Sequence, residues 1–380
     1  MRTEQSIFTE AQGWVKRTDQ NLGALAQLVF LFGKKDLLKQ QKHFEAIQMS
    51  YPDAEIVGCS TCGDILQDEV ISNSIICTAA WFEKSTITIV KELISDMEDS
   101  FGIGEKLAAK LDKKDLKHVM ILSEGLNVNG SELTKGLNSC LKDLVSVTGG
   151  LAGDEVNFLE TVIVHNQAGE KNAVVAIGFY GDHLKVGYGS RGGWDSFGVD
   201  RLVTRSHGNI LYELDEQPAL ELYKKYLGDF AAELPASAML FPLSIRIRDA
   251  ETYLVRTVLS VNEHDGSMVF AGNIPQGEYV RLMKANFYRL NEGASEAAKM
   301  SLVSLKDSYP DLAILISCVG RKLVLKQRIE EELESVIEVI GDATTIAGFY
   351  SYGEICPVNP FEKHCELHNQ TMTITVFKEM

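Results

Sequence analysis

The sequence predicts a mixed α+β protein, an α/β arrangement in which three repeated β-α-β units build mixed sheets, extra antiparallel strands extend them and the helices pack outside. Three observations carry that prediction. One order of segments occurs three times: an apolar strand, an amphipathic helix, a second strand ending in a glycine-acid turn, and another apolar strand. A strand–helix–strand crossover places its two strands parallel in one sheet. The stretches between the copies read as additional short strands.

The first copy runs from LVFLFG (28–33) through a helix near 35–49 to IVGCSTCGD (56–64) and IICTAAWF (75–82), with Asp64 as the turn acid. In the second, VMILSE (119–124) precedes a helix with Leu133, Leu137, Cys140, Leu141 and Leu144 on one face, then VTGGLAGDE (147–155), carrying Asp154, and AVVAIGFYG (173–181). The third comprises LAILISC (312–318), one helical stripe of Leu325, Ile329, Leu333, Val336, Ile337 and Ile340 stopped by Gly341, IAGFYSYGE (346–354), carrying Glu354, and TMTITVF (371–377). An acid repeated at one structural position points to a carboxylate that accepts backbone N–H bonds and fixes the turn.

Further strands are expected at FLETVIVHN (158–166), HLKVGYGS (183–190), MLFPLSIRIR (239–248), TYLVRTVLSV (252–261), SMVFAG (267–272) and YVRLMKA (279–285). Within 252–261, Tyr253, Val255, Thr257, Leu259 and Val261 share one face and Arg256 and Ser260 the other, so one side should face a core. Pro218 opens a helix bearing Ala219, Leu222, Tyr223, Tyr226 and Leu227, and Gly228 ends it. The division into two domains, 1–212 and 213–380, falls just before that helix. No low-complexity linker separates them, so an extensive interface is expected.

The formal charge of −16 opposes binding to nucleic acid and to anionic membrane surfaces. MRTEQSIFTEAQGW has no signal-peptide core, and no apolar run approaches the roughly 18 residues of a membrane span, so a cytoplasmic location is expected. Seven cysteines, odd in number and sparse, read as mostly reduced thiols.

Several patches together resemble the FIST family: GCSTCGD (58–64), GGLAGDE (149–155), the junction GYGSRGGWDSFGVDRLVTRSHGNILYELDEQPALELYKKYLG (187–228), GSMVFAGNIPQGEYVRLM (266–283), GFYSYGEICP (348–357) and ELHNQTMTITVF (366–377). The resemblance covers nearly the whole chain in the right order. It implies a sensory module of N-terminal and C-terminal FIST parts that detects a small ligand and reports to a signalling partner. Some family members of this length are haem-containing nitric-oxide sensors paired with a histidine kinase, so haem and a kinase enter as expectations, with an unassigned small molecule as the other ligand.

Candidate site residues fall in three places. Cys59, Ser60 and Thr61, with Cys62, lie on a turn at the end of a parallel strand, where open α/β sheets bind ligands; the same residues also suit a plain β-turn. Their CxxC spacing allows a redox pair or half a zinc site, completed from Cys356, His364, Cys365 and His368, and Cys59 could instead be a hydrolase nucleophile. No nucleophile elbow, Walker loop, HExxH or Rossmann fingerprint accompanies it, so an enzyme is not expected. The segment 190–207 gathers Arg191, Trp194, Asp195, Arg201, Arg205 and His207 around glycines, a combination that can clamp an acidic planar ligand, or merely ion-pair and fill a core. His207 and His368, each inside a patch that carries the resemblance, are the axial-ligand candidates for haem, which lacks a CxxCH attachment here. Tyr352, on the third turn, completes the set. The three turns are expected to surround one shared cavity near Cys59 or Trp194.

Overall fold

Along the parallel strands, successive side chains enter two different cores, which is why these strands read as unbroken apolar runs. In the computed structural model, which describes residues 1–142, 144–246, 253–306 and 308–380, the strand Leu28–Gly33 sends Leu28, Phe30 and Phe32 to one core and Val29 and Leu31 to another. The first core is common to all three copies and also holds Cys59, Met120, Leu122, Phe179, Ile316 and Phe349. The second kind lies between sheet and helix: Phe44 and Ile47 of the helix Gln41–Ser50, Leu133 and Leu137 of Gly130–Leu141, and Leu333 and Val336 of Ile329–Ile340. Three sheets therefore turn their inner faces to each other, with helices outside.

Each sheet has six strands on one plan. Its centre is a parallel pair: Leu28–Gly33 with Glu55–Ser60, Leu116–Ser123 with Ser146–Leu151, and Leu312–Cys318 with Thr345–Ser351. The copy's last strand, Ser74–Trp81, Ala173–Tyr180 or Met372–Glu379, returns antiparallel beside it. Outer strands are exchanged in a ring. Asp64–Leu66 of copy one joins Thr345–Ser351, Ile163–His165 of copy two joins Glu55–Ser60, and Gly353–Pro357 of copy three joins Ser146–Leu151.

A glycine marks the tightest point of each parallel pair. A Cβ on Gly58, Gly149 or Gly348 would stand 1.8, 2.0 or 1.9 Å from the carbonyl oxygen of Leu31, Ile121 or Leu315 opposite. No side chain fits there.

Residues 195–284 hold a separate antiparallel sheet, eight-stranded among the described residues and covered by the helix Ala219–Leu227, with its own core of Val203, Leu211, Tyr223, Leu243, Met268 and Phe270. The boundary expected at residue 212 falls inside its strand Ile210–Leu214, and the strand exchange ties both sides of that boundary into common sheets. The inserted sheet forms a separate body with its own core.

Other expectations shift locally. The third copy's single stripe breaks into Val319–Leu325 and Ile329–Ile340 around a 3-10 turn, and Leu144 lies exposed beyond the end of Gly130–Leu141. Only Ile163–His165 of 158–166 is strand. Residues 247 and 248 of 239–248, and 252 of 252–261, lie outside the described residues. The alternation expected over 252–261 is lost because the strand divides at Thr257: Leu259 is exposed and Arg256 buried, its guanidinium donating to the carbonyls of Leu367 (2.8 Å) and Asn273 (3.1 Å). Polar capture of the guanidinium by another sheet overrides the local pattern. Sequence periodicity also missed the strands Arg2–Thr9 and Thr86–Leu93 and the helices Ser100–Lys110 and Phe287–Leu302; the last shows in hindsight as Leu290, Ala294, Ala297 and Ser301 at helical spacing.

Candidate functional site

The three glycine-acid turns converge and bond to one another. Cys62 N donates to Tyr350 O and Tyr350 N to Gly63 O, each at 2.8 Å; Gly153 N donates to Ser60 O at 2.8 Å and Tyr352 N to Leu151 O at 3.3 Å. The acids hold these turns, through hydroxyls and lysine more than through backbone amides. Asp64 accepts from Thr61 Oγ1 (2.5 Å) and Ser74 Oγ (2.6 Å), and Glu354 from Ser351 Oγ (2.7 Å), Thr371 Oγ1 (2.9 Å) and Thr371 N (3.2 Å). Asp154 pairs with Lys35 Nζ at 2.9 Å. Burial pushes the Asp64 carboxyl up to about 6 and that of Glu354 up to about 8, against the downward pull of those hydrogen bonds.

The space between the sheets is filled, and the first turn is sealed. Cys59 and Cys62 are buried free thiols that enter different cores, and burial raises both pKa values, which leaves neither as a ready nucleophile. Ser60 Oγ accepts from Val162 N, Thr61 is taken up by Asp64, and Lys322 Nζ caps Cys62 O at 2.5 Å. Among the described residues no group of three or more histidines, cysteines and acids is placed to hold a metal ion.

The hollow lies elsewhere, where the second and third turns meet the inserted sheet. A cavity of about 120 Å³ opens at the carboxyl ends of Leu116–Ser123 and Leu312–Cys318, the usual ligand position of an α/β sheet. Gly125, Leu126, Leu151, Val319 and Tyr352 form its floor; Met239, Thr257, Phe270 and Ala271 of the inserted part form its roof; Met97, Phe158 and Leu259, each about half exposed, ring the mouth. Why it opens there follows from sequence. The segments after the first strand of copies one and three supply Lys35 and Lys322 to neighbouring turns, whereas the corresponding segment of copy two, EGLNVN (124–129), has no cation and a glycine that packs on Ala152 and Tyr352.

Tyr352 is the one candidate residue on this cavity. Its hydroxyl accepts from Phe158 N (3.2 Å) and donates to Glu155 O (3.4 Å), and its ring stacks on Phe158 with centroids 4.5 Å apart. The 190–207 segment forms the end of one strand and the long strand Asp195–His207. There Arg201 binds Asp215 and the Tyr226 hydroxyl, Arg205 binds Glu213, Asp195 binds Asn286, and Arg191 lies exposed 3.8 Å from Glu296. Trp194 is in a core, its Nε1 donating to Gln370 O.

The histidines do not fit haem at the cavity. His207 is exposed on its strand, and buried His368 spends Nε2 on Cys356 O at 2.9 Å, burial holding it neutral with a pKa of about 4. Neither lines the cavity, which is also below the roughly 300 Å³ of pockets for larger ligands. A wider groove of about 420 Å³ beside Trp14 has its buried Glu4 carboxylate already taken by Leu22 N and Lys16.

Sequence comparison supplies the relationship. The FIST N domain matches residues 27–217 and the FIST C domain residues 219–357. The chain is 23% identical over 381 residues to an uncharacterized protein of Methanocaldococcus jannaschii, covering 91% of this chain and 69% of that relative. Among solved structures it is similar to cyanuric acid hydrolase from A. caulinodans, at 8% identity and a TM-score of 0.38 over 100% of this chain and 99% of the other, and to a second cyanuric acid hydrolase structure at 10% identity and a TM-score of 0.31. Likeness this slight carries neither fold nor activity across. FIST domains are sensory domains of signal transduction, and with both of them matched along its length, this chain belongs to the FIST family.

Proposed function

We propose that the protein senses a small molecule held in the cavity between the second and third turns and the inserted sheet, and passes its occupancy to a signalling protein by contact. The observation that carries this reading is that a mostly apolar hollow, open at one mouth, is walled by two bodies with separate cores. A ligand touching both floor and roof stabilises one relation between them, which is how binding energy becomes a change that a partner can read. Binding without turnover is the favoured mode, since no acid, base or cation is among the described lining residues and burial raises the pKa of the lining Cys318 thiol. Seven free thiols suit a reducing compartment, and among the described residues no helix is long and apolar enough to cross a membrane. A histidine kinase is the partner the family resemblance suggests.

Native mass spectrometry of freshly purified protein tests the reading. A small retained mass, present in the wild type and lost in Leu126→Trp at unchanged melting temperature, is expected; a retained mass indifferent to Leu126→Trp places the ligand elsewhere and overturns the assignment.

A further inference from the structure

The cavity wall limits what it can hold, and three limits coincide. Size is the first. At about 120 Å³ the hollow is close to the roughly 150 Å³ of an engineered apolar cavity that accepts benzene, so a single ring or a short branched chain fills it. Charge is the second. No Lys, Arg, His, Asp or Glu is among the described lining residues, and an ion brought there would lose its water without a counter-ion, which costs several kcal/mol.

Polarity is the third and most specific limit. The lining polar groups are mostly engaged: Asn129 Oδ1 caps its helix and its Nδ2 binds Asn273, Asn209 Nδ2 binds Phe270 O, and the Tyr352 hydroxyl holds Phe158 and Glu155. Thr257 is different. It is 5% exposed, sits where its strand divides, lines the cavity, and its Oγ1 has no hydrogen-bond partner among the described residues. A buried hydroxyl without a partner is rare in folded proteins and destabilises the fold until something meets it. Behind the lining Gly320 the amide of Gln370 packs so closely that a Cβ there would lie 2.4 Å from it, and Gln370 Oε1 is likewise unpartnered.

We infer that the ligand of this site is an uncharged molecule about the size of one aromatic ring, carrying a single hydroxyl or carbonyl that bonds Thr257 Oγ1 while its apolar body packs against Val319, Phe270 and Tyr352. The inference rests on the sensor reading and specifies the class of molecule sensed. It separates neutral, phenol-like compounds from amino acids and carboxylates, whose charges the wall leaves unanswered.

Calorimetric titration of the full chain with phenol, benzene and benzoate distinguishes these. Phenol should bind about tenfold more tightly than benzene, benzoate should neither bind nor compete, and Thr257→Val, which keeps the shape, should abolish the phenol preference while raising the melting temperature of the free protein. Benzoate binding as tightly as phenol, or a phenol preference that survives Thr257→Val, overturns the inference and leaves the cavity reading standing. No heat from any of the three up to their solubility also overturns it, and the retained mass lost in Leu126→Trp then decides independently whether the cavity senses anything.

Discussion

The first and third glycine-acid turns begin from the same geometry and end with opposite fates. Each follows a parallel strand with a crowded glycine, each carries a buried acid bound by the hydroxyl three residues before it, and each exchanges a strand with another copy. Over the first turn Lys322 reaches in and caps Cys62 O, and Cys59, Ser60 and Thr61 are all consumed by the fold. Over the third, the neighbouring segment offers Gly125 and Leu126, so Tyr352 keeps one side on a hollow that the inserted sheet roofs. A repeated loop becomes a site where a neighbour withholds a side chain.

Substitution of the crowded glycines should break what the two turns share. Gly58→Ala and Gly348→Ala each drive a methyl into a backbone carbonyl that cannot retreat, and both should lose more than about 3 kcal/mol in denaturant titration. A loss below 1 kcal/mol at either would mean that the paired strands can separate at that point. Removing the cation that holds the second turn comes next. Lys35→Met strips Asp154, 5% exposed, of its charged partner and leaves it only the Glu160 amide and the Asn157 side chain, which should cost about 2 kcal/mol; an unchanged midpoint would show that water replaces the lysine.

Buried Glu354 gives the third turn a pH response of known sign. Folded, it keeps its proton up to about 8, whereas its ordinary value is 4.5, so across that interval the unfolded chain holds fewer protons and stability falls as pH rises. His118 and His368, held neutral by burial with pKa values of about 3 and about 4, act in the opposite direction, but only below 6.5. From about pH 6.5 to pH 8 the wild type should therefore lose stability, levelling off above that as Glu354 ionises in the fold as well, and Glu354→Gln should flatten the slope in that window; equal slopes would show Glu354 already ionised in the fold. Smallest is Tyr352→Phe, which removes one hydroxyl and should cost about 1 kcal/mol while speeding hydrogen exchange at the Phe158 amide, which loses its acceptor. Unchanged exchange there would detach the mouth of the cavity from the third turn.

Much of the architecture was legible because burial on two sides leaves a plain mark: LVFLFG, VMILSE and LAILISC read as strands, and the glycine of GCS, GGL and GFY recurs for a steric reason local to each pair. Strand exchange was not legible, since nothing in Asp64–Leu66 says which sheet its edge will meet. The site was less legible still. Polar and reactive residues drew attention to Cys59 and to 190–207, but Arg201, Arg205 and Asp195 are taken up by Asp215, Glu213 and Asn286. Thr257 and Leu126 are ordinary in sequence, and their role arises from contacts across three distant segments. Only Tyr352 was reached from both directions.

A crystal structure of the protein soaked with phenol would show which hollow the ring occupies. The ring is expected between Val319, Phe270 and Tyr352 with its oxygen on Thr257 Oγ1. Phenol seated beside Cys59, in the 190–207 strand or in the groove at Trp14, with the space beneath the inserted sheet unchanged, would rule out the hollow beneath that sheet as the ligand site.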